Sequence, residues 1–184
     1  MKQINKYISK KLHINKDIGK HIEIKYNYHP KTRDELKKIV DKLIEENGIK
    51  TNLNDIDTSQ ITDMSYMFKE SHFNGDISEW DVSNVKKMET MFGCSKFTGE
   101  NGDISQWDVS NVIDMYCMFY KSKFNGDISN WDVSNVKNMY CMFRESSFTG
   151  ENGDISSWNV SNVKNMGAMF YRSPLQKNPP KWYK

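Results

Sequence analysis

The residues that could do chemistry in this 184-residue chain are mostly acidic, and they recur at fixed spacings. One column, with a member in each of five repeats, consists of Asp57, Asp81, Asp108, Asp132 and Asn159. A variable column lies two residues before the last four members and consists of Glu79, Gln106, Asn130 and Ser157. Residues at equivalent positions of neighbouring parallel strands lie about 4.8 Å apart. The two columns would therefore form an acidic groove for a basic partner.

The aspartates also have a purely structural interpretation, which is the favoured one. An Asp side chain can accept a hydrogen bond from the backbone N–H two residues further on, in an Asx turn. Every member of the column is followed at that distance by a serine. The variable column is more informative about binding, because the repeat does not dictate its residue types.

Two Thr-Gly-Glu insertions, at 98–100 and 149–151, lengthen alternate repeats from 24 to 27 residues. We expect them to protrude at one edge, where a repeat protein can display specificity. The favoured interpretation is nevertheless a tolerated bulge, since a Gly-rich loop can bind phosphate but these glutamates would repel it. The predicted partner-binding residues are Glu79, Asp81, Gln106, Asp108, Asn130, Asp132, Ser157, Asn159, Glu100 and Glu151.

The remaining polar residues predict neither catalysis nor metal binding. The four histidines, at 13, 21, 29 and 72, lack metal-ligand spacing. The sequence has no recognisable catalytic triad, carboxylate pair or phosphate loop, so we expect a protein that is not an enzyme and takes no cofactor or metal. Cys117 and Cys141 share one repeat position, and free thiols in a reducing compartment are favoured over a disulfide.

The repeats predict the elements that must position these residues. Four tryptophans lie in Asp-Ile-Ser-x-Trp-(Asp/Asn)-Val-Ser-Asn-Val motifs, and five Met-Phe pairs recur 24 or 27 residues apart. In one unit, Trp80 and Val82 alternate with polar residues, which is typical of a short strand with one buried face. Val85, Met88 and Met91 then follow a helical spacing. Because one unit cannot bury its apolar side chains alone, the Trp, Met and Phe columns should stack into a shared core.

Three regions are predicted along the chain: a basic N-terminal segment with a capping helix (1–52), the five repeats (53–172) and a C-terminal cap (173–184). The capping helix should begin at a Thr32–Glu35 capping box and end at Asn47-Gly48. Before it, we expect a short helix at 4–12 and a strand at 22–28. Three prolines in the C-terminal cap would blunt the last strand edge.

These repeats resemble the branch of the BspA-like leucine-rich-repeat family that carries Trp-Asp-Val-Ser-Asn-Val and Met-x-x-Met-Phe motifs. The resemblance covers roughly residues 30–184. It implies a right-handed solenoid with a parallel sheet on the concave side, and a role in recognition that includes adhesion to host proteins and cells. Surface members of the family carry export signals. Since the lysine-rich start of this chain is not followed by such a signal, we expect a cytoplasmic, bacterial or phage-encoded protein, or a cell-surface protein if an export signal lies outside this sequence.

The expected fold class is an α/β repeat, a right-handed leucine-rich-repeat-like solenoid of five coils with a parallel sheet and an N-terminal helical cap. The expected function is recognition of a protein partner with a basic surface, through the concave sheet and the edge loops. The alternative is an inhibitor or adaptor whose basic segment engages the target, since residues 1–50 carry 13 Lys/Arg against 7 Asp/Glu. Nucleic-acid binding is expected only through residues 1–29. No membrane span is expected, because no stretch approaches roughly 18 consecutive apolar residues.

Overall fold

The structure, a computed structural model, describes residues 26–184. In that range one α-helix, α1, spans Arg33–Asn47, and two 3-10 helices span Ile155–Ser157 and Pro174–Gln176. The helix expected at 4–12, most of the strand expected at 22–28 and the basic stretch that ends at Lys25 lie outside the described residues.

Helix α1 begins at its capping box. The Thr32 side chain accepts a hydrogen bond from the Glu35 N–H at 3.2 Å, and the Glu35 carboxylate accepts one from the Lys31 N–H at 2.7 Å. The first bond satisfies an N–H group that the first helical turn leaves without a partner, and the second ties the residue before the N-cap to the helix. Leu36 and Val40 are fully buried and belong to the same apolar core as the repeats. Helix α1 is thus packed onto the repeats by its apolar stripe.

The predicted fold class is wrong. A right-handed leucine-rich-repeat-like solenoid requires a parallel sheet, but residues 26–184 contain no extended strand. Pairing is limited to six isolated parallel bridges, such as those of Lys87 with Asp63 and with Asp114. The described chain therefore has no sheet and no concave sheet surface. The predicted leucine-rich-repeat and solenoid assignments are wrong for the same reason.

Capped turns stand where strands were predicted. Trp80 N–H donates to the Ile77 carbonyl at 3.2 Å, and Ser83 N–H donates to the Asp81 carboxylate at 3.0 Å. Both N–H groups are bonded within their own repeat and so are not offered to a neighbouring strand. The alternation of Trp80 and Val82 with polar residues is therefore produced by turns rather than by a pleated strand.

The Met-x-x-Met-Phe segments are also built from turns rather than the predicted helical turns. Met118 N–H donates to the Met115 carbonyl at 3.2 Å, and Tyr120 N–H donates to the Cys117 carbonyl at 3.0 Å. Two non-glycine residues in each segment have a φ between 51° and 63°, in the left-handed region. These residues are Tyr66, Glu70, Thr90, Cys94, Cys117, Lys121, Cys141, Glu145, Ala168 and Arg172.

Alternate peptide planes of these segments join each repeat to the next. In the third repeat the N–H groups of Met115, Cys117, Phe119 and Lys121 each donate to a carbonyl of the fourth repeat at 2.9 Å. The equivalent bonds join all five repeats, giving sixteen hydrogen bonds of 2.7–3.0 Å. All of them run in one direction, from the N–H of one repeat to the carbonyl of the following repeat. The repeats are thus stacked backbone on backbone without forming a sheet.

The core consists of columns of equivalent aromatic side chains, as the repeat pattern predicts. The first Phe column, Phe68, Phe92, Phe119, Phe143 and Phe170, has ring centroids 5.5–5.8 Å apart. The Trp column includes Trp182, which continues it beyond the fourth repeated tryptophan. Each indole N–H in the column donates to a carbonyl of the preceding repeat, at 3.0–3.3 Å. The tryptophans thus both fill the core and connect the repeats.

Candidate functional site

Two segments of every repeat form walls on opposite sides of the aromatic core. Phe92 packs on Trp107 with centroids 6.4 Å apart, and Phe119 packs on Trp131 at 6.3 Å. Because rings from the two segments meet in the interior, the exposed side chains of one segment point away from those of the other. We define the Trp wall as residues 51–60, 74–84, 98–111, 125–135 and 149–162, and the Met wall as residues 61–73, 85–97, 112–124, 136–148 and 163–173.

The structure places all of the predicted partner-binding residues on the Trp wall, and every one of them is exposed. This wall contains twelve Asp/Glu and no Lys/Arg. The predicted set is therefore collected on one continuous acidic surface. The surface is a wall of turns, not the predicted groove along a concave sheet.

The aspartate column forms the Asx turns of the structural interpretation. The side chains of Asp81, Asp108 and Asp132 accept from the N–H groups two residues later at 3.0–3.1 Å. Asn159 accepts the equivalent bond at 3.2 Å, so a neutral amide can also cap this turn. The second oxygens of Asp81, Asp108 and Asp132 remain available at the exposed surface, whereas that of Asp57 lies 3.2 Å from the His29 ring. The aspartates can thus shape the wall and still carry its charge.

A second aspartate column, missed by the sequence interpretation, makes the same turn. Asp76, Asp103, Asp127 and Asp154 accept from the N–H groups of the serines two residues later at 2.8–3.0 Å. The Asp-Ile-Ser motif of the last four repeats contained the signal, since it has the Asx-turn spacing of the first column. Hydrogen bonds from serine also lower the pKa of Asp132 and of Asp154, which stabilises their ionised forms.

The Thr-Gly-Glu insertions are fixed to the preceding repeat at one edge of the Trp wall. Thr98 N–H donates to the Asn74 side chain at 2.9 Å, and Thr149 N–H donates to the Asn125 side chain at 2.8 Å. The glycines have φ of 90° and 77°, a conformation that favours glycine. Beside the second insertion, an open cavity of about 390 Å³ extends to Leu175 and Lys181. The insertions are therefore ordered features that display Glu100 and Glu151.

The Met wall carries tyrosines and cations, and the sequence interpretation did not identify it as a surface. Tyr116 and Tyr140 stack with centroids 5.7 Å apart. The Arg144 and Arg172 guanidinium groups lie 5.1 Å and 5.2 Å from the ring centroid of Tyr171. The wall contains ten Lys/Arg against five Asp/Glu, and nine against three in its last four segments. Counting charge separately in the two segments of each repeat would have predicted this surface.

Two titratable side chains of the Met wall, those of Cys117 and Tyr66, have raised pKa values. Burial raises the pKa of the Cys117 thiol to about 11, which disfavours its reactive thiolate. A hydrogen bond to the Glu89 carboxylate raises the pKa of Tyr66 to about 12. Cys117 and Cys141 are buried and carry no disulfide. In the described range, His, Cys, Asp and Glu form no group that could hold a metal ion.

No helix among residues 26–184 is long and apolar enough to cross a membrane.

Comparison with known proteins found one family. A family model described as "Mycoplasma protein of unknown function, DUF285" matches residues 35–146 and 94–183, which overlap and together cover most of the chain. No curated protein and no solved structure matches the chain.

Proposed function

We propose that this chain, which belongs to the DUF285 family of Mycoplasma proteins of unknown function, is a non-enzymatic module that recognises a protein partner. The partner has a basic surface and contacts the Trp wall, including the edge displayed by the Thr-Gly-Glu insertions. The resemblance to BspA-like proteins supports a role in recognition, although it predicted the wrong fold.

One observation carries this proposal: the Trp wall combines twelve acidic residues, no basic residue and side chains that the repeat leaves free to vary. Glu79, Gln106, Asn130 and Ser157 occupy one position of the repeat and are all exposed. A surface of a single sign steers an oppositely charged partner and sets its orientation. The variable column can then discriminate among partners that share the charge.

The test is capture of partners from source-cell lysate by the immobilised full chain, followed by affinity measurement on each purified partner. The Trp-wall variant is Glu79→Gln with Asp108→Asn and Asp132→Asn. Asparagine preserves both Asx turns, as Asn159 does. The control, Glu45→Gln with Glu46→Gln, removes charge from the exposed side of α1. We expect the wall variant to weaken binding about tenfold or more and the control to bind normally.

Two results would contradict the proposal. Unchanged affinity in the wall variant would exclude the Trp wall as the contact surface. If the wall variant keeps its affinity and a chain without residues 1–29 loses binding, the alternative is favoured, in which the basic segment engages the target.

A further inference from the structure

We propose that the Trp wall of one copy binds the Met wall of a second copy, so that the chain associates with itself side by side. The inference rests on the proposed role of the Trp wall as a binding surface, and it names the chain itself as a partner. Its basis is the opposite charge, the common spacing and the aromatic composition of the two walls.

The charges of the two walls are complementary and accessible. Lysines lie at the start of three of the five Met-wall segments, and Lys86, Lys137 and Lys164 are all exposed, whereas Thr62 and Ile113 occupy this position in the first and third repeats. On the Trp wall, every acidic residue from Glu79 to Asp154 is exposed except Asp127, which is half-buried. The net charge of the whole chain is only +2, so repulsion between copies is weak.

The charges also recur with the same spacing on both walls. Each wall takes one segment from every repeat, and neighbouring repeats are 5.5–5.8 Å apart at the first Phe column. When two copies lie side by side with their stacks aligned, an acidic residue of one wall can meet a basic residue of the other at successive repeats. A shift by one repeat keeps most of these pairings, so several alignments are available.

Aromatic side chains on the Met wall add contact area that charge alone would not provide. Three of the four large hydrophobic residues that are most exposed in the described chain, Tyr66, Ile113 and Tyr171, lie on this wall at 39–40% exposure. Tyrosine and arginine are enriched in protein–protein hot spots. Some cations of the wall are already paired with its own carboxylates, as Lys121 and Arg144 are with Glu145, so they offer less charge to a continuous phosphate backbone. These features favour a discrete acidic protein surface over a nucleic acid.

The contact is heterologous, because one copy contributes its Trp wall and the other copy contributes its Met wall. Each bound pair leaves one Trp wall and one Met wall free, so further copies can add without closing a ring. Association should therefore grow with protein concentration and weaken as salt screens the charges.

Sedimentation velocity of the full chain tests this inference at about 20 mM and about 500 mM ionic strength. Variant T carries Gln106→Lys, Asn130→Lys and Ser157→Lys, which put cations on the Trp wall without removing an Asx-turn aspartate. Variant M carries Lys86→Glu, Lys137→Glu and Lys164→Glu on the Met wall. The control, Glu45→Lys with Glu46→Gln on α1, changes the net charge by the same +3 as variant T. Circular dichroism verifies that each variant is folded.

We expect concentration-dependent association of the wild type and the control at low salt, and its loss at high salt. Variants T and M should each associate at least about tenfold more weakly. An equimolar mixture of T and M should restore association, because the Met wall of T and the Trp wall of M are both intact. A monomeric wild type at low salt, full association of either variant alone, or a mixture that stays monomeric would overturn the inference. If the immobilised chain still captures a partner from lysate after such a result, the proposed function stands. If neither self-association nor lysate capture is observed, both proposals are wrong.

Discussion

The Met wall places β-branched Thr90 at a φ of 52°, a conformation in which such residues are rarely found. The same repeat position is occupied by Tyr66, Cys117, Cys141 and Ala168, all with a positive φ. Residues held in the left-handed region cost of order 1–3 kcal/mol each, and only the surrounding structure keeps them there. The sixteen hydrogen bonds between the repeats provide that constraint.

Replacing Thr90 by glycine should therefore increase the free energy of unfolding by about 1 kcal/mol. Glycine adopts this φ without strain, and the relief of strain should exceed the loss of the small, buried Thr90 side chain. Denaturant unfolding monitored by tryptophan fluorescence measures the effect. Thr62→Gly is the matched control. Because Thr62 has no positive φ, this variant should have a free energy of unfolding about 0.5–1 kcal/mol lower than that of the wild type. A less stable Thr90→Gly variant would show that the position is not strained.

The three cysteines should be free thiols of unequal reactivity. Cys94 is half-buried, whereas Cys117 and Cys141 are buried, and the pKa of Cys117 is raised to about 11. Alkylation of the native protein at about pH 7.5 should modify Cys94 first, and the denatured protein should titrate three thiols without reductant. Cys94→Ser should remove the fast phase. A denatured count of one would mean that Cys117 and Cys141 are bridged.

At the scale of the repeated element, the buried columns could be predicted from sequence, but the backbone that carries them could not. The spacing of Trp80, Met88 and Phe92 predicted the core, and all three are buried. The strand prediction failed because Asp81 and Ser83 form an Asx turn that happens to share the period of a strand. The helical prediction failed because turns with a positive φ space the methionines as a helix would. Non-glycine residues occupy those positions, so the sequence gives no sign of the unusual φ.

The column of tryptophans should dominate the stability of the stack. Trp107 is buried, stacks on Trp131 at 6.5 Å and donates to the Ile77 carbonyl. Its replacement by alanine should cost about 3–5 kcal/mol, measured by denaturant unfolding. Trp182 makes the same indole hydrogen bond but is only half-buried and ends the column, so Trp182→Ala should cost less. Native-like stability of Trp107→Ala would contradict the assigned core.

The corner of the second repeat should not tolerate a side chain at Gly75. A Cβ there would lie 2.0 Å from the Thr51 carbonyl oxygen, and this backbone atom cannot move away cheaply. Gly75→Ala should destabilise the protein by about 1–3 kcal/mol in thermal or denaturant unfolding. At Gly167 the nearest atom would be a Tyr140 ring carbon at 3.2 Å, so Gly167→Ala should change stability by less than about 0.5 kcal/mol. Equal effects at the two glycines would argue against the close approach of the first two repeats.

At the scale of the whole molecule, each repeat depends on its neighbours, and the two ends of the stack differ from its middle. The two walls of the candidate site could not be predicted equally well from the sequence. The exposed residues of the Trp wall could be predicted because they occupy two fixed positions of the repeat, one acidic and one variable, and its insertions. The Met wall was not predicted, because its cations stand out in the sequence only when charge is counted separately in the two segments of each repeat.

Hydrogen exchange should report this dependence on neighbours. The Cys117 N–H is bonded to the fourth repeat at 2.9 Å, whereas residues 174–184, rather than a sixth repeat, follow the segment that contains Ala168. We expect the Ala168 amide to exchange at least about 100-fold faster than that of Cys117 in native-state hydrogen exchange. Equal protection would show that the C-terminal residues cap the last repeat as completely as another repeat would.

The common direction of the sixteen hydrogen bonds also makes the column of Met-x-x-Met-Phe segments electrically polar, while bonds at its edges, such as that from the Lys86 N–H to the Thr62 carbonyl, run the opposite way and reduce the net dipole. Aligned peptide dipoles add, as they do along an α-helix, and here the N–H ends of the joining peptides point toward the fifth repeat. That end of the stack carries partial positive charge, and the carbonyl end at the first repeat carries partial negative charge. Arg33 and Lys37 of α1 line a small cavity with Ser65 and Tyr66 at that carbonyl end. The capping helix therefore also supplies cations that offset an axial dipole, a form of charge compensation that net charge alone does not reveal.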